Sequence, residues 1–171
     1  ILDKGRVSKD NKIFSNLNKP IMAIVGGSKI STKIVLLHNL IKKVDKLVIG
    51  GAMANTFLAA KGYKIGKSLI EKENIKTAKE ITEMAKLEKC QLILPDDVVV
   101  SNNINDTSKI ENVKLDNIKE DYSIFDLGEN TIEKISNEMA TCKTVFWNGP
   151  LGFYEQEPFD NSTNVIGRTV A

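Results

Sequence analysis

Arginine is nearly absent from this 171-residue chain, in which only Arg6 and Arg168 accompany a large excess of lysine. Phosphorylated acids are usually held by guanidinium groups, because these planar forks donate paired hydrogen bonds to carboxylate and phosphate oxygens. A site for such an acid is therefore not expected within this chain. Basic and acidic side chains are otherwise balanced, at 24 and 22, which excludes the charge footprint of a nucleic-acid or membrane-surface protein.

Long apolar runs and cysteine patterns are also lacking. No apolar stretch approaches the roughly 20 residues that span a bilayer, and the N-terminus carries no signal-peptide pattern. Cys90 and Cys142 have neither metal-ligand spacing nor a disulfide framework, so we expect two small hydrophobic residues near the core of a cytoplasmic protein. The single histidine, His38, lies in a helical pattern and is expected to be structural or exposed. No metal site is predicted.

Apolar segments of strand length alternate along the chain with segments of helical periodicity. Strands are predicted at residues 21–25, 46–51, 91–95, 97–101, 122–128 and 144–150, and helices at 30–44, 53–60, 71–88 and 130–141. Strands buried on both faces and separated by helices favour an α/β protein with a three-layer, Rossmann-like open parallel sheet and helices on both faces. Residues 102–121 are polar and are expected to form a surface excursion with room for a hairpin.

The chain divides at about residue 20. Residues 1–20 are rich in turn-forming types and are expected to be a linker or the tail of a preceding interdomain segment. Residues 21–171 are expected to form one domain. Because the chain begins with isoleucine and stops within the helical pattern "NSTNVIGRTVA", we expect an excerpt whose domain lacks its last strands and helices.

Three of the predicted strands end in glycine, at Gly26-Gly27, Gly50-Gly51 and Asn148-Gly149-Pro150. Ligands of open parallel sheets bind outside the carboxyl ends of the strands. Glycine permits positive φ there and lets backbone N–H groups approach a ligand closely. The three strand ends are therefore expected to line one binding edge.

Lys29 and Lys33 follow the first of these strands, four residues apart in "IVGGSKISTKI". On a helix this spacing puts both ammonium groups on one face, near an N-terminus that already favours anions such as a polyphosphate. An ordinary strand-to-helix turn with exposed lysines explains the same residues. The segment matches neither G-x-G-x-x-G nor G-x-x-x-x-G-K-[ST], so by itself it favours the ordinary turn.

The segment "TVFWNGPLGFYEQEPF", residues 144–159, is more distinctive, because a strand runs into a glycine-rich turn that is followed by Glu155. A carboxylate in that position could accept hydrogen bonds from ribose hydroxyls, as acidic residues do in dinucleotide-binding folds. A rigid turn with a core tryptophan and surface acids explains the segment equally well. Asp96 and Asp97 invite a metal site, but a turn with capping carboxylates is the favoured interpretation.

Four segments together resemble the C-terminal, nucleotide-binding half of phosphoglycerate kinase: "AIVGGSKISTKI", "KVDKLVIGGAMANTFLAAKGYKIGKSL", "LPDDVVVS" and "TVFWNGPLGFYEQEPF". They stand in the family's order and roughly its spacing, from about residue 20 onward. The resemblance implies a catalytic role on the phosphates for Lys29 and Lys33. It implies nucleotide contacts for Gly27, Ser28, both lysines, Gly50, Gly51, Ala52, Phe125, Asn148, Gly149, Pro150, Leu151 and the ribose carboxylate Glu155. The match is looser at Phe125, and many members carry a third glycine in place of Ala52.

The implied reaction is reversible, in-line phosphoryl transfer between 1,3-bisphosphoglycerate with ADP and 3-phosphoglycerate with ATP, a step of glycolysis. Such transfer needs positioning and charge neutralisation, which lysines and the Mg²⁺ of Mg-ADP or Mg-ATP would supply. The resemblance also implies a cytoplasmic monomer with two parts outside this chain: an N-terminal 3-phosphoglycerate-binding domain and a metal–nucleotide aspartate. The polypeptide alone is therefore expected to be inactive and to bind nucleotide weakly at best.

Two other interpretations use the same residues. A non-catalytic nucleotide-binding or protein-interaction module, from a truncated or split gene, would keep the same motifs. An arginine-bearing domain upstream and a "GGGD"-like loop downstream would favour the enzyme over that module. A Rossmann dehydrogenase is disfavoured, because no G-x-G-x-x-G follows any predicted strand.

Overall fold

A computed structural model describes residues 16–171 of the protein, so most of the predicted linker, residues 1–20, lies outside the described residues. The described chain contains seven strands: β1 (Ile21–Val25), β2 (Lys46–Ile49), β3 (Gln91–Ile93), β4 (Asp97–Ser101), β5 (Ile110–Lys114), β6 (Ser123–Leu127) and β7 (Thr144–Asn148). It also contains five α-helices: α1 (Ile34–Ile41), α2 (Ala52–Ala60), α3 (Ile75–Leu87), α4 (Glu129–Ala140) and α5 (Asn161–Val170).

Four strands form a parallel sheet in the order β3-β2-β1-β7. The inner strand β1 is fully buried, and its side chains alternate between the two faces, as strand geometry requires. Ile21, Ala23 and Val25 pack in a core with residues of α1, α2 and α3. Met22 and Ile24 pack in a second core with residues of α4 and α5. The predicted three-layer α/β fold is confirmed.

The other three strands form an antiparallel sheet in the order β5-β4-β6, which the strand pattern did not distinguish from the parallel sheet. Residues 94–96 are all that connects β3 to β4. A parallel neighbour needs a crossover of a dozen or more residues, so β4 turns away from β3 after this short connection. β5 lies within the predicted excursion of residues 102–121 and pairs with β4 as a hairpin.

The helix predicted at residues 30–44 begins later than expected. A single 3₁₀ turn at Ile30–Thr32 comes first, and α1 starts at Ile34. Lys29 has an extended backbone (φ −129°, ψ 123°), and Lys33 lies at the N-terminal boundary of α1. The Thr32 hydroxyl donates to the Lys29 carbonyl at 2.9 Å and so helps to close a separate turn. The prediction that both lysines share one helix face is therefore wrong.

The residues just before β1 pack against the domain. Leu17 contacts the core under α1, α2 and α3. The Thr144 hydroxyl donates to the Asn18 carbonyl at 2.8 Å, and the Lys143 N–H donates to the Pro20 carbonyl at 2.8 Å. The described end of the predicted linker is therefore attached at the start of β7.

The two cysteines and the histidine, to which the sequence analysis assigned no chemistry, lie in environments typical of structural residues. Cys90 is buried and Cys142 is partly buried, both as free thiols. Burial raises the pKa of the Cys90 thiol to about 11, which keeps it protonated and unreactive. His38 is exposed on α1. Across residues 16–171, no helix has the length and apolar character needed to cross a membrane.

Candidate functional site

The carboxyl ends of β1 and β7 are joined by backbone hydrogen bonds. The Gly26 N–H donates to the Asn148 carbonyl at 2.8 Å, and the Gly27 N–H donates to the Pro150 carbonyl at 3.0 Å. A Cβ on Gly26 would lie 1.9 Å from the Pro150 carbonyl oxygen. The two loops approach so closely that only glycine fits at this position.

The loop after β2 is attached to both of these loops. The Gly51 N–H donates to the Leu151 carbonyl at 2.8 Å, and the Met53 N–H donates to the Gly27 carbonyl at 3.0 Å. Gly51 has φ +68°, and a Cβ there would lie 2.4 Å from the Gly27 oxygen. Gly50 is buried against the Leu151 side chain. The three glycine-bearing strand ends therefore form one hydrogen-bonded edge, as the sequence predicted.

Lys33 crosses this edge. Its ammonium group donates a hydrogen bond to Asn148 Oδ1, 115 positions away in the sequence. Its Cε atom lies 3.7 Å from the position that a Cβ on Gly27 would occupy, so the side chain runs beside the Gly27 loop. Ser28 and Lys29 are exposed in the same loop. The structure thus brings one predicted catalytic lysine to the end of β7 and leaves the other at the surface of the loop.

A cavity of about 670 Å³ opens between the glycine edge and the antiparallel sheet, a volume within the range of small-molecule sites. Eight residues predicted from the sequence line it: Gly27, Ser28, Gly51, Ala52, Phe125, Pro150, Leu151 and Glu155. The other five predicted residues lie off its wall: Lys29, Lys33, Gly50, Asn148 and Gly149. The cavity therefore lies beside the predicted residues, although five of them do not face it.

Sequence reasoning missed one side of this cavity. Twelve lining residues were not predicted, from α2, the turn after Gly66, the connection from β3 into β4, β6 and the loop after β7: Ala54, Asn55, Lys67, Leu69, Pro95, Val98, Ser123, Ile124, Asp126, Leu127, Gly152 and Phe153. Gly66 has φ +58°, and a Cβ there would lie 2.1 Å from the Tyr122 carbonyl oxygen. That glycine was the available signal that this turn packs against the residues just before β6, whereas the recognised segment that contains Asn55 gave it no role.

The loop that carries Glu155 is attached to β6. The Phe153 N–H donates to the Phe125 carbonyl at 2.7 Å. The Phe125 ring packs against the Phe159 ring, with 4.9 Å between centroids, so a backbone hydrogen bond holds the start of the loop and an aromatic contact holds its end. Glu155 is exposed on this loop and lines the cavity. The carboxylate that the resemblance assigns to the ribose is therefore exposed on the wall of the cavity.

Asp126 is a buried carboxyl group in the same wall, with 2% of its surface exposed. It accepts hydrogen bonds from the Ser162 N–H at 3.0 Å, from the Leu127 N–H at 2.9 Å and from the Ser162 hydroxyl. Burial raises the pKa of Asp126 to about 6, although these hydrogen bonds favour its ionised form. Its contacts are those of a structural tie between β6 and the start of α5.

Comparison with known proteins identifies the family. The sequence model of the family described as phosphoglycerate kinase matches residues 5–171. The chain belongs to the phosphoglycerate kinase family. Phosphoglycerate kinases from Chelativorans sp. and Coxiella burnetii are 48% and 44% identical to it over 153 and 161 residues. These matches cover 90% and 94% of this chain but 38% and 41% of those relatives, so the chain spans about two fifths of their length.

Solved structures of phosphoglycerate kinases have the same fold. The phosphoglycerate kinase from Coxiella burnetii superposes with a TM-score of 0.90 at 42% identity, over 97% of this chain and 43% of that one. The enzyme from Pyrococcus horikoshii superposes with a TM-score of 0.72 at 22% identity, over 99% of this chain and 44% of that one. The second likeness supports the fold alone, whereas the first agrees with the family resemblance of the four sequence segments.

Phosphoglycerate kinases imply Mg²⁺ together with the nucleotide, but the residues at this edge do not fit a metal ion. The Lys33 ammonium group at this edge repels cations, whereas Mg²⁺ prefers oxygen ligands. Asp97 caps α4 by accepting from the Thr131 N–H at 2.8 Å, and Asp96 pairs with Lys134 at 2.8 Å. From residue 16 onward, no group of three or more His, Cys, Asp or Glu side chains is arranged to hold a metal. The predicted capping role of Asp97 is confirmed.

Proposed function

We propose that this chain supplies the ADP/ATP-binding half of a phosphoglycerate kinase, which transfers a phosphoryl group reversibly between 1,3-bisphosphoglycerate and ADP. One observation carries the proposal: the cavity of about 670 Å³ whose wall joins Gly27, Gly51, Pro150 and Glu155. In this proposal residues 21–171 are the nucleotide-binding domain and residues 1–20 lead into it. The 3-phosphoglycerate-binding domain belongs to the N-terminal part of the same protein.

The apolar side of the cavity suits a purine base. Ala52, Phe125, Leu151 and Pro150 line it, and a flat heteroaromatic ring gains free energy when such a wall removes it from water. Glu155 lines the same cavity and would accept hydrogen bonds from the ribose hydroxyl groups. The adenosine part of the ligand would therefore lie between the loop after β2 and the loop after β7.

The lysine-bearing loop suits the phosphates. An ammonium group has three N–H donors, so Lys33 can keep its hydrogen bond to Asn148 and donate to a phosphate oxygen as well. Lys29, exposed in the same loop, would neutralise part of the charge that develops on the transferred group. Mg²⁺ carried by the nucleotide would add further neutralisation. In-line transfer needs this charge compensation and correct positioning more than it needs covalent chemistry.

We expect the substitution Lys33→Ala to weaken the binding of MgADP to this chain by at least about tenfold. A hydrogen bond from a charged donor contributes about 1.5–3 kcal/mol, which corresponds to roughly a 10- to 100-fold change in the dissociation constant. Isothermal titration of MgADP and MgATP into the wild type and the variant measures the effect.

Lys42→Ala is the matched control for this experiment. It removes the same charge from an exposed position directly after α1, at the opposite end of that helix from Lys33, and it should leave the affinity within about twofold. Identical binding by the wild type and the Lys33→Ala variant would contradict the assignment of the phosphate site. A wild-type chain that binds neither nucleotide would contradict the proposed function.

A second expected result concerns turnover. The 171-residue polypeptide by itself should give no measurable activity in a coupled assay with 3-phosphoglycerate and MgATP. It contains only Arg6 and Arg168, whereas a phosphorylated acid is usually held by several guanidinium groups. A full-length phosphoglycerate kinase serves as the positive control. Turnover by this polypeptide alone, above the rate of an enzyme-free blank, would contradict the proposal that 3-phosphoglycerate binds to a different domain.

A further inference from the structure

The turn that carries Lys29 and Lys33 is capped from a distant part of the chain. Lys29 precedes the 3₁₀ turn and Lys33 precedes α1, and neither makes a side-chain capping hydrogen bond. Backbone N–H groups at such starts lack partners within the helix and need one from elsewhere. The Ser31 N–H and hydroxyl groups donate to the two carboxylate oxygens of Glu71, at 3.1 and 2.5 Å. The cap therefore comes from 40 positions further along the chain.

Glu71 is itself held by α2. The Glu71 N–H donates to the Thr56 hydroxyl at 3.2 Å, and the Asn55 amide group donates to the Leu69 carbonyl at 3.0 Å. Thr56 and Asn55 are both 1% exposed, so these anchors are fixed by the packing of α2. The same helix begins directly after Gly51, which lies on the glycine edge of the cavity. One rigid helix thus supports both the base side of the cavity and the residue that holds the lysine turn.

The charge of Glu71 is unfavourable for an anionic ligand. Partial burial opposes its ionisation, but hydrogen bonds from Ser31 and Ile30 and the charge of Lys29 lower the pKa of Glu71 below its ordinary value. The side chain is therefore a carboxylate at neutral pH. A negative charge beside a polyphosphate site repels the ligand, so charge alone would make this residue a disadvantage there.

We propose that Glu71 is a positioning residue, which holds the Lys29–Lys33 turn in register with the Gly51 edge so that the lysines meet the nucleotide phosphates. The inference rests on the proposed function. It predicts a loss of affinity that depends on the phosphates, since the proposed base and ribose contacts would come from Ala52, Leu151 and Glu155, which line the cavity outside this turn. A residue needed only for folding would weaken the binding of adenosine and MgADP alike.

The experiment compares MgADP with adenosine, each titrated into uniformly ¹⁵N-labelled chain and followed by amide chemical shifts. We expect Glu71→Ala to weaken MgADP binding by about tenfold and to leave adenosine binding within about twofold. Glu71→Gln keeps one oxygen acceptor and the same shape. It should therefore lose less affinity for MgADP than Glu71→Ala does. Glu73→Ala is the matched control, because it removes the same charge from an exposed position two residues away.

Each outcome decides the inference. Unchanged or tighter MgADP binding by Glu71→Ala, with normal binding by the wild type, would show that Glu71 acts only as a charge and would overturn the inference alone. If Glu71→Ala lost affinity equally for adenosine and for MgADP, the role of Glu71 would be purely structural. That result would also overturn the inference. A wild-type chain that binds neither ligand would overturn the inference and the proposed function together. A selective loss for MgADP, with Glu73→Ala unchanged, supports it.

Discussion

Gly26→Ala should lower the free energy of unfolding by about 3 kcal/mol, because the new methyl group would lie 1.9 Å from the Pro150 carbonyl oxygen. Neither partner can move cheaply. The Gly26 N–H is bonded to the Asn148 carbonyl at 2.8 Å, and the Pro150 carbonyl accepts from the Gly27 N–H at 3.0 Å. Relief of the clash must therefore break the edge where β1 and β7 meet, and nucleotide binding should weaken with it.

Urea unfolding, followed by far-UV circular dichroism and by the fluorescence of the single tryptophan, measures this loss. Trp147 reports on the same edge, because its indole N–H donates to the Gly149 carbonyl at 2.7 Å. Gly167→Ala is the control. A Cβ on Gly167, within α5, would lie 3.7 Å from the Trp147 ring, an ordinary contact, so that variant should gain about 0.5–1 kcal/mol. A Gly26→Ala variant as stable as the wild type would show that the loops are not in close contact.

Asp97→Ala should be about as destabilising, with a loss of about 3 kcal/mol, because it removes a carboxylate with only 1% of its surface exposed from five hydrogen bonds. Thr131 donates through its N–H and hydroxyl groups, at 2.8 and 2.6 Å, and Asn130 through its N–H and amide groups, both at 3.1 Å. The Asn112 amide donates at 3.0 Å and so ties β5 to the start of α4. Without Asp97 the buried Thr131 N–H loses its partner, and the exposed Asn112 and Asn130 are no longer tied to β4.

The neighbouring residue provides the control for this loss. Asp96 is exposed and pairs with Lys134 at 2.8 Å, with 61% of the Asp96 side chain in contact with solvent. Exposed ion pairs contribute little, so Asp96→Ala should change the free energy of unfolding by less than about 1 kcal/mol. Urea unfolding of the two variants at pH 7 makes the comparison. Equal losses would contradict the capping role of Asp97.

The pH dependence supplies a second test of Asp97. Burial works against its ionisation, but hydrogen bonds from Asn112, Thr131 and Asn130 hold the pKa of Asp97 below its ordinary value of 3.8. The folded state then binds fewer protons than the unfolded state, so this contribution is complete above the unfolded pKa and is lost as the pH falls through the folded pKa. Asp126 acts in the opposite direction, because its raised pKa, about 6, makes the folded state bind more protons below about pH 6.

The contribution of Asp126 is the same in the wild type and in Asp97→Asn. It therefore cancels when the free energy of unfolding of one protein is subtracted from that of the other. That difference in unfolding free energy should be constant above about pH 5 and should shrink below about pH 4. A difference that stays constant down to pH 3 would contradict the lowered pKa of Asp97.

Much of the fold could be predicted because its signals are local. β1 is an uninterrupted apolar run, and α3 and α4 carry apolar residues at helical spacing. Gly26 and Gly51 marked the edge where the loops after β1, β2 and β7 meet, because places where backbones come too close for a side chain must be glycine. The antiparallel sheet could not be predicted from strand character alone, since β4 and β6, with three apolar residues of five, match the parallel strand β7 in apolar content.

The candidate site was predicted only in part, for a related reason. The two lysines were recognised, but the position of Lys29 outside a helix depends on a turn that Glu71 caps from 40 positions away. Asp126 lines the cavity although none of the four recognised segments contains it, and Asn55 lines it although its segment gave it no role. The folded path of the chain brings such residues to the cavity, and local periodicity does not encode that path.

The sequence by itself determined the succession of strands and helices, the glycine edge and the family resemblance, because apolar periodicity, glycine sterics and motif order can all be read along the chain. The tertiary structure decided which residues meet across it: Lys33 with Asn148, and Ser31 with Glu71. It also decided that β4 pairs with β5 and β6 in a separate antiparallel sheet. These contacts depend on the folded path of many residues at once, because each joins side chains whose local sequences contain no sign of the partner.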